Sequence, residues 1–201
     1  MNKYVSLLKN LSVLTISSVA TKFLSFILLP LYTGILTTSE YGTYDLYYTT
    51  ISLLFPVLSL CISDSLVRFL LKSENKEEII TISLKYTVFS TILFLIFFSV
   101  NCYFDFIPPL NEYKLIFVLL FLSNAVHSFF TGMARGLEKI KDIAVASFLC
   151  GALTISLNIL FLVFFKMGLV GYFGATLIGL NVANIYFFLR LKRKHVIVQR
   201  F

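Results

Sequence analysis

Two long apolar runs, joined by a short polar turn at residues 37–42, dominate the stretch from residue 11 to residue 69. Each run is about twenty residues or longer, the length that an α-helix needs to cross the hydrocarbon core of a membrane. The chain of 201 residues is 58% hydrophobic and only 13% charged, and its mean hydropathy is +0.90. Soluble domains carry about 25% charged residues. The sequence therefore predicts an all-α integral membrane protein.

The apolar pattern predicts six transmembrane helices that form a single membrane domain over residues 1–201. These helices are expected at about residues 11–36, 42–70, 79–100, 114–134, 143–165 and 172–189. The first apolar run follows Lys3 and Lys9 and so resembles a signal peptide. Because this run is too long and contains a lysine, we expect it to be retained as a helix.

Lysine and arginine are distributed unevenly between the two sides of the predicted bundle. Most of them lie at the termini and in the loops after the second and fourth helices, whereas the opposite side holds Lys114 and Lys166. Cytoplasmic loops of membrane proteins are enriched in these residues, so both termini are expected in the cytoplasm. The asymmetry also accounts for the net charge of +7, and no nucleic-acid partner is expected.

The first predicted helix carries a polar stripe that includes a charge. Its members recur at helical spacing and are Ser18, Thr21, Lys22 and Ser25. A lysine near the middle of a span costs about 2.5–3.5 kcal/mol on insertion scales, so it normally faces a wet cavity or a partner. Lys22 is therefore a candidate ligand-binding residue. A structural ion pair between Lys22 and a carboxylate of a neighbouring helix is the alternative.

A second polar stripe follows the second predicted helix and is expected to face the same interior. Its members lie three or four residues apart and are Asp45, Thr49, Ser52, Pro56, Ser59 and Ser63. Proline frees a backbone carbonyl from its helical hydrogen bond, which a cavity tolerates and lipid does not. Asp64 and Arg68 lie four residues apart, the spacing of a helical ion pair, which is either functional or an ordinary interfacial pair.

Polar residues of the fourth predicted helix share one face, namely Asn124, His127, Ser128 and Thr131. His127 is a candidate for proton coupling because imidazole titrates near neutral pH. Asp64 is the second candidate for that role. The alternative for His127 is a histidine that is only hydrogen-bonded to a neighbouring helix.

Small residues spaced by four follow the sixth predicted helix, namely Gly171, Ala175, Gly179 and Ala183. A stripe of this kind allows the backbones of two membrane helices to approach closely. We therefore expect it to pack against another helix rather than against lipid.

The sequence contains no pattern typical of an enzyme. It has no nucleophile elbow, phosphate-binding loop or cluster of metal-ligand residues. Its cysteines, Cys61, Cys102 and Cys150, are widely spaced and odd in number, which supports neither a zinc site nor a disulfide framework. We expect no catalytic activity, no metal and no cofactor.

Four segments resemble the polysaccharide-export flippases, the O-antigen and teichoic-acid exporters of the multidrug/oligosaccharidyl-lipid/polysaccharide superfamily. These segments are PLYTGILTTSEYG at 30–42, LSLCISDSLVRF at 58–69, ARGLEKIKDIAVASF at 134–148 and NILFLVFFKMGLVG at 158–171. Their order and spacing carry the resemblance over nearly the whole chain.

The resemblance implies both a fold and an activity. Members are multi-pass proteins of a bacterial cytoplasmic membrane, with two six-helix lobes around a central cavity, and this chain resembles the N-terminal lobe of such a MATE-like flippase. They move polyprenyl-diphosphate-linked oligosaccharides from the cytoplasmic to the outer leaflet by alternating access. The cavity is expected to be cationic, and Lys22 and Arg68 match positions where relatives place basic residues.

The resemblance also implies partners and candidate binding residues. We expect the lipid-linked oligosaccharide, membrane lipids, and a second lobe or a parallel second copy, with the chain as a half-transporter. The residues expected to contact substrate are Lys22, Ser18, Ser25, Asp45, Thr49, Ser52, Arg68 and Asn124. Two alternatives are a lobe of a MATE-like multidrug or cation exporter, which would favour a buried carboxylate where Lys22 stands, and a non-transporting scaffold of an envelope-assembly complex.

Overall fold

The computed structural model describes residues 32–192 together with Val19, Phe26 and Pro30. Residues 32–192 contain helices and no β-strand. The helices are α1 (Thr38–Leu58), α2 (Ile62–Lys72), α3 (Lys76–Phe104), α4 (Pro108–Glu112), α5 (Lys114–Gly136), α6 (Ile140–Asn158) with a π-helical continuation (Ile159–Phe164), and α7 (Gly168–Lys192). The prediction of an all-α protein is confirmed for this part of the chain.

Four of these helices are long and apolar enough to cross a membrane, namely α3, α5, α6 with its π-helical continuation, and α7. If the bent pair α1–α2 is counted as a single span, it is the fifth candidate. The chain is therefore a multi-pass membrane protein. The first predicted helix, at 11–36, lies largely outside the described residues, so the count of six and the likeness to a MATE-like lobe stay predictions.

The second predicted helix, 42–70, is broken in the structure. α1 and α2 meet at a bend of 51°, and at the bend Leu60 and Cys61 have positive φ angles of 50° and 53°. Pro56 lies just before this point, and its carbonyl accepts a hydrogen bond from the amide of Cys61 at 3.0 Å. The predicted continuous helix is therefore wrong, because a proline that cannot donate and two left-handed residues end α1 early.

Several helices are longer than the sequence predicted. α3 begins at Lys76 rather than 79, and α7 extends over Gly168–Lys192 rather than 172–189. The first turn of α3 contains Glu77 and Glu78, whose carboxylates are favourable at a helix N-terminus. Hydropathy marks only the part of a helix that suits the hydrocarbon, so polar terminal turns were missed.

Aromatic rings pack α1, α3, α5 and α7 together at one end of the bundle. The rings of Phe94 and Phe121 stack with centroids 3.6 Å apart. The hydroxyl of Tyr47, a fully buried residue, donates to the carbonyl of Pro109 at 2.9 Å and accepts from the amide of Tyr113 at 3.1 Å. We call this end the tyrosine end.

The opposite end of the bundle carries most of the basic residues. Gly136 of α5 packs against the side chain of Leu70, and Arg190 and Asp142 form an ion pair at 3.5 Å between α7 and α6. The basic residues at or near this end are Arg68, Lys72, Lys76, Arg135, Lys139, Lys141, Arg190 and Lys192. We call it the basic end.

The stripe of small residues on α7 packs against α6, as predicted. Ala175, Gly179 and Ala183 are buried. A Cβ added at Gly179 would overlap the hydroxyl of Thr154 and lie 3.0 Å from the carbonyl oxygen of Cys150, both on α6. The two backbones therefore approach as closely as glycine permits.

Candidate functional site

A polar cleft of about 490 Å³ lies where the α1–α2 bend meets α5 and α6. Its polar lining residues come from all of these elements and are Ser59, Cys61, Ser63, Asp64, Asn124, His127, Ser128, Thr131, Arg135 and Ser147. Intramembrane polar groups are rare and face cavities or partners. A cleft of this composition in so apolar a protein is therefore the leading candidate for a binding site.

Two hydroxyls in this polar cleft have unused hydrogen-bonding capacity. Ser59 is 2% exposed, and its Oγ has no hydrogen-bond partner among the described residues; the same holds for Oγ1 of Thr131. A buried hydroxyl without a partner costs about 1–3 kcal/mol. The described residues therefore leave both hydroxyls, buried in the wall of the polar cleft, without a hydrogen-bond partner.

Close packing fixes the first turn of α2 against α5. The hydroxyls of Ser63 and Ser128 are hydrogen-bonded at 2.9 Å. A Cβ added at Gly132 would lie 2.7 Å from the carbonyl oxygen of Ser63, so only glycine fits there. Because of this contact, α2 and the middle of α5 form one wall of the polar cleft.

A hydrogen bond to Asn184 of α7 holds His127 in place. Its Nδ1 lies 3.1 Å from Oδ1 of Asn184, whose Nδ2 donates to the backbone carbonyl of Ser123 at 3.0 Å. The imidazole ring also packs against Phe187, with centroids 6.0 Å apart. One side of His127 is therefore anchored to α7, and the residue also lines the polar cleft.

A second, largely apolar cavity of about 220 Å³ adjoins the polar cleft toward the tyrosine end. Tyr44, Ser52 and Thr176 are among its lining residues. It shares Phe55, Pro56 and Asn124 with the polar cleft. The two cavities thus adjoin along α1 and α5, one apolar and one polar, and we call the two together the groove.

The structure brings together some of the predicted site residues. Asn124 lines both cavities, Ser52 lines the apolar one, and His127 and Asp64 line the polar cleft. The polar residues of the fourth predicted helix thus lie on one face of α5 that lines the polar cleft, and their role in binding stays a prediction. Lys22, Ser18 and Ser25 lie outside the described residues, and their role stays a prediction.

Other predicted site residues do not reach this groove. Asp45, Thr49 and Arg68 are exposed and line neither cavity. Asp64 and Arg68 form no ion pair within the described part of the chain. Asp64 instead lies in the first turn of α2, where a helix N-terminus favours a carboxylate without a basic partner.

Arg135 and Ser147 line the polar cleft, although neither is among the binding residues expected from the sequence. Arg135 lines the polar cleft four residues after Thr131, so extending the polar face of the fourth predicted helix by one turn would have found it. Ser147 lies on α6, and the helical pattern gave no indication that α6 meets the α1–α2 bend. Among residues 32–192, Arg135 is the only lysine or arginine in the lining of the polar cleft.

Comparison with protein families identifies the chain's relatives. A family model described as polysaccharide biosynthesis protein matches residues 7–201. Searches of curated proteins and of solved structures find no match. The family match covers nearly the whole chain, including every residue that lines the groove. This multi-pass membrane protein therefore belongs to the polysaccharide biosynthesis protein family.

Proposed function

We propose that this chain takes part in exporting a polyprenyl-diphosphate-linked oligosaccharide across a bacterial cytoplasmic membrane, for the synthesis of a cell-surface polysaccharide. The observation that carries this proposal is the polar cleft, with its unpartnered hydroxyls of Ser59 and Thr131, inside a bundle of apolar helices. Membership in the polysaccharide biosynthesis family supports a polysaccharide precursor as the cargo.

Hydroxyl and amide groups in the polar cleft suit a sugar. Ser59 at the α1–α2 bend and Asn124 and Thr131 of α5 carry donors and acceptors in the lining of the polar cleft, and each sugar hydroxyl can both donate and accept. Such contacts replace the water that a glycan loses when it leaves the aqueous phase. The adjoining apolar cavity, lined by Tyr44 and Phe173 among others, offers apolar surface for a lipid chain.

A cation in the polar cleft suits the diphosphate. Arg135 supplies that charge within the described residues, and Lys22 is proposed to supply another from the predicted first helix. Guanidinium groups bind phosphate oxygens through paired, charge-assisted hydrogen bonds. These bonds offset part of the cost of moving a diphosphate into a low-dielectric cavity.

Orientation follows from the distribution of basic residues. We place the basic end in the cytoplasm, because cytoplasmic loops are enriched in lysine and arginine. The polar cleft extends toward that end through Arg135. A headgroup in the cytoplasmic leaflet would then reach the polar cleft first. We further propose that a second lobe, or a second copy inserted in parallel, completes the transport path.

One observation favours a second candidate function. Asp64 is a carboxylate in the polar cleft, and carboxylates bind organic cations. A multidrug or cation exporter lobe is therefore the competing proposal, and the Arg135→Gln variant separates the two.

The test measures surface polysaccharide in cells that depend on this protein, with protein abundance measured in parallel. Hydrogen bonds to a charged group contribute about 1.5–3 kcal/mol, which corresponds to roughly ten- to hundredfold in affinity. Arg135→Gln should therefore reduce export about tenfold or more and cause lipid-linked precursor to accumulate. Lys114→Gln, at the tyrosine end, is the matched control and should export normally.

The same cells distinguish the competing proposal. A normally abundant Arg135→Gln protein that exports polysaccharide at the wild-type rate would refute the proposed role of Arg135. Resistance to quaternary ammonium compounds that depends on Asp64, without any effect on polysaccharide, would favour the cation exporter.

A further inference from the structure

The hydrogen bonds around Asn184 determine where the proton of neutral His127 lies. Nδ2 of Asn184 donates to the backbone carbonyl of Ser123, which can only accept. Exchanging the amide oxygen and nitrogen would place two acceptors together, so Oδ1 faces His127. That oxygen also can only accept, and Nδ1 of His127, 3.1 Å away, must therefore carry a proton.

The second ring nitrogen of His127 is left as an acceptor. In a neutral imidazole only one nitrogen carries hydrogen, so Nε2 holds a lone pair. No described residue forms a hydrogen bond with Nε2, whereas Nδ1 is bound to α7. His127 lines the polar cleft along with Asn124 and Ser128 of the same helix. The free lone pair is thus available to whatever occupies this cleft.

We propose that Nε2 of His127 is a proton-binding site whose occupancy sets the ligand preference of the polar cleft. With Nε2 unprotonated, the ring accepts a hydrogen bond from a hydroxyl such as that of a sugar. When a proton from water binds the lone pair, the ring becomes a cation and favours an anionic phosphate. The choice of these two ligand groups rests on the function proposed above, whereas the proton site rests on the hydrogen bonds alone.

The other charged groups of the polar cleft determine how its net charge changes when His127 is protonated. Asp64 faces it from α2 and Arg135 faces it from α5. α1, the bend that follows it and α6 add only uncharged groups, including Ser59 and Ser147, and α7 meets the ring with an amide and a phenyl group. Because the formal charges of Asp64 and Arg135 cancel, protonation of His127 changes the described polar cleft from neutral to positive.

The proton site can be tested by NMR without measuring transport. The chain has two histidines, so His195→Gln leaves His127 alone in a nitrogen-labelled sample in lipid nanodiscs. We expect a neutral ring protonated at Nδ1 at high pH, although free histidine prefers Nε2, and protonation of Nε2 as the pH is lowered. Asn184→Ala should release the ring to the Nε2-protonated form. A ring in that form before the substitution, or no titration above pH 5, would overturn the proposal.

The effect on ligand preference is measured with farnesyl diphosphate as the probe, in the same nanodiscs. The ratio of its affinities at pH 5.5 and pH 8 should be at least fivefold higher for the wild type than for His127→Gln. Asn181→Ala alters an α7 amide that is bonded to Ser123 and does not line the polar cleft. This control should keep the wild-type ratio.

Failure of the proton site and failure of the proposed function give different results. An unchanged affinity ratio in His127→Gln refutes the switch. A normal NMR titration with no farnesyl diphosphate binding at either pH instead refutes the diphosphate ligand and supports the proton site.

Discussion

Replacing Gly179 with alanine should destabilise the contact between α6 and α7. The added Cβ would overlap the hydroxyl of Thr154 and lie 3.0 Å from the carbonyl oxygen of Cys150. The hydroxyl can rotate away, but a backbone carbonyl in a helix cannot move without shifting the helix. Overpacking of this kind costs about 1–3 kcal/mol. Alanine is also the better helix former by about 1 kcal/mol, which offsets part of that cost.

Gly174→Ala is the matched control on the same helix. A Cβ at Gly174 would meet only the ring of Phe161, at 3.7 Å and 3.9 Å, which are ordinary contact distances. The gain in helix propensity should therefore appear without an overpacking cost, as a stabilisation of about 0.5–1 kcal/mol. Both variants replace glycine with alanine in α7, so both gain the same helix propensity. The difference between their stabilities therefore reports only the overpacking at Gly179.

Thermal unfolding in detergent measures the difference between the two variants. For a chain of this size, a change of 1 kcal/mol shifts the midpoint by about 2–4 °C. We expect Gly179→Ala to unfold below Gly174→Ala by several degrees, and Thr154→Ala to restore part of the loss in Gly179→Ala. Equal midpoints for the two glycine variants would show that α6 and α7 are not packed as closely as the structure places them.

Two further predictions concern orientation and the predicted first helix. In a cysteine-free background, a cysteine at Glu40 should react with an impermeant reagent in intact cells and one at Lys139 should not; the opposite pattern would reverse the orientation. Lys22→Ala should abolish polysaccharide export at normal abundance, Lys22→Arg should keep some export, and Lys22→Glu should have none. If Lys22 instead forms a structural ion pair with Asp64, Lys22→Ala should lower protein abundance, and adding Asp64→Asn should restore it. Protein blots and surface-polysaccharide measurements on the same cells distinguish the two roles of Lys22.

Hydropathy placed the long helices because a membrane span has to be apolar over most of its length. α5 was predicted at 114–134 and occupies Lys114–Gly136. This helix is unbroken, so its 3.6-residue period correctly grouped Asn124 and His127 on the cavity wall. Periodicity is thus informative about a site when the site lies along one uninterrupted helix.

The same reasoning failed where α1 gives way to α2. A stripe drawn through 42–70 assumes one helical phase, and the bend of 51° interrupts that phase. Leu60 and Cys61 adopt positive φ angles, yet neither is a residue type that marks such a conformation. Which face of α1 is covered depends on its neighbours, so Asp45 and Thr49 fell outside the groove although their spacing was helical.

The bend between α1 and α2 separates two regions in which these helices are held by close contacts. On one side, α1 is fixed at the tyrosine end by the buried hydrogen bonds of Tyr47. On the other side, α2 is fixed to α5 by the hydroxyl pair of Ser63 and Ser128 and by the close approach at Gly132. Between them lie strained residues and the unpartnered Oγ of Ser59, and strain of this kind is often found where a protein changes conformation. α5 takes part in both packed regions, through Phe117 beside Tyr47 and through Ser128 and Gly132 beside α2. Residues 59–61 are therefore the part of the α1–α2 backbone that these contacts do not reach.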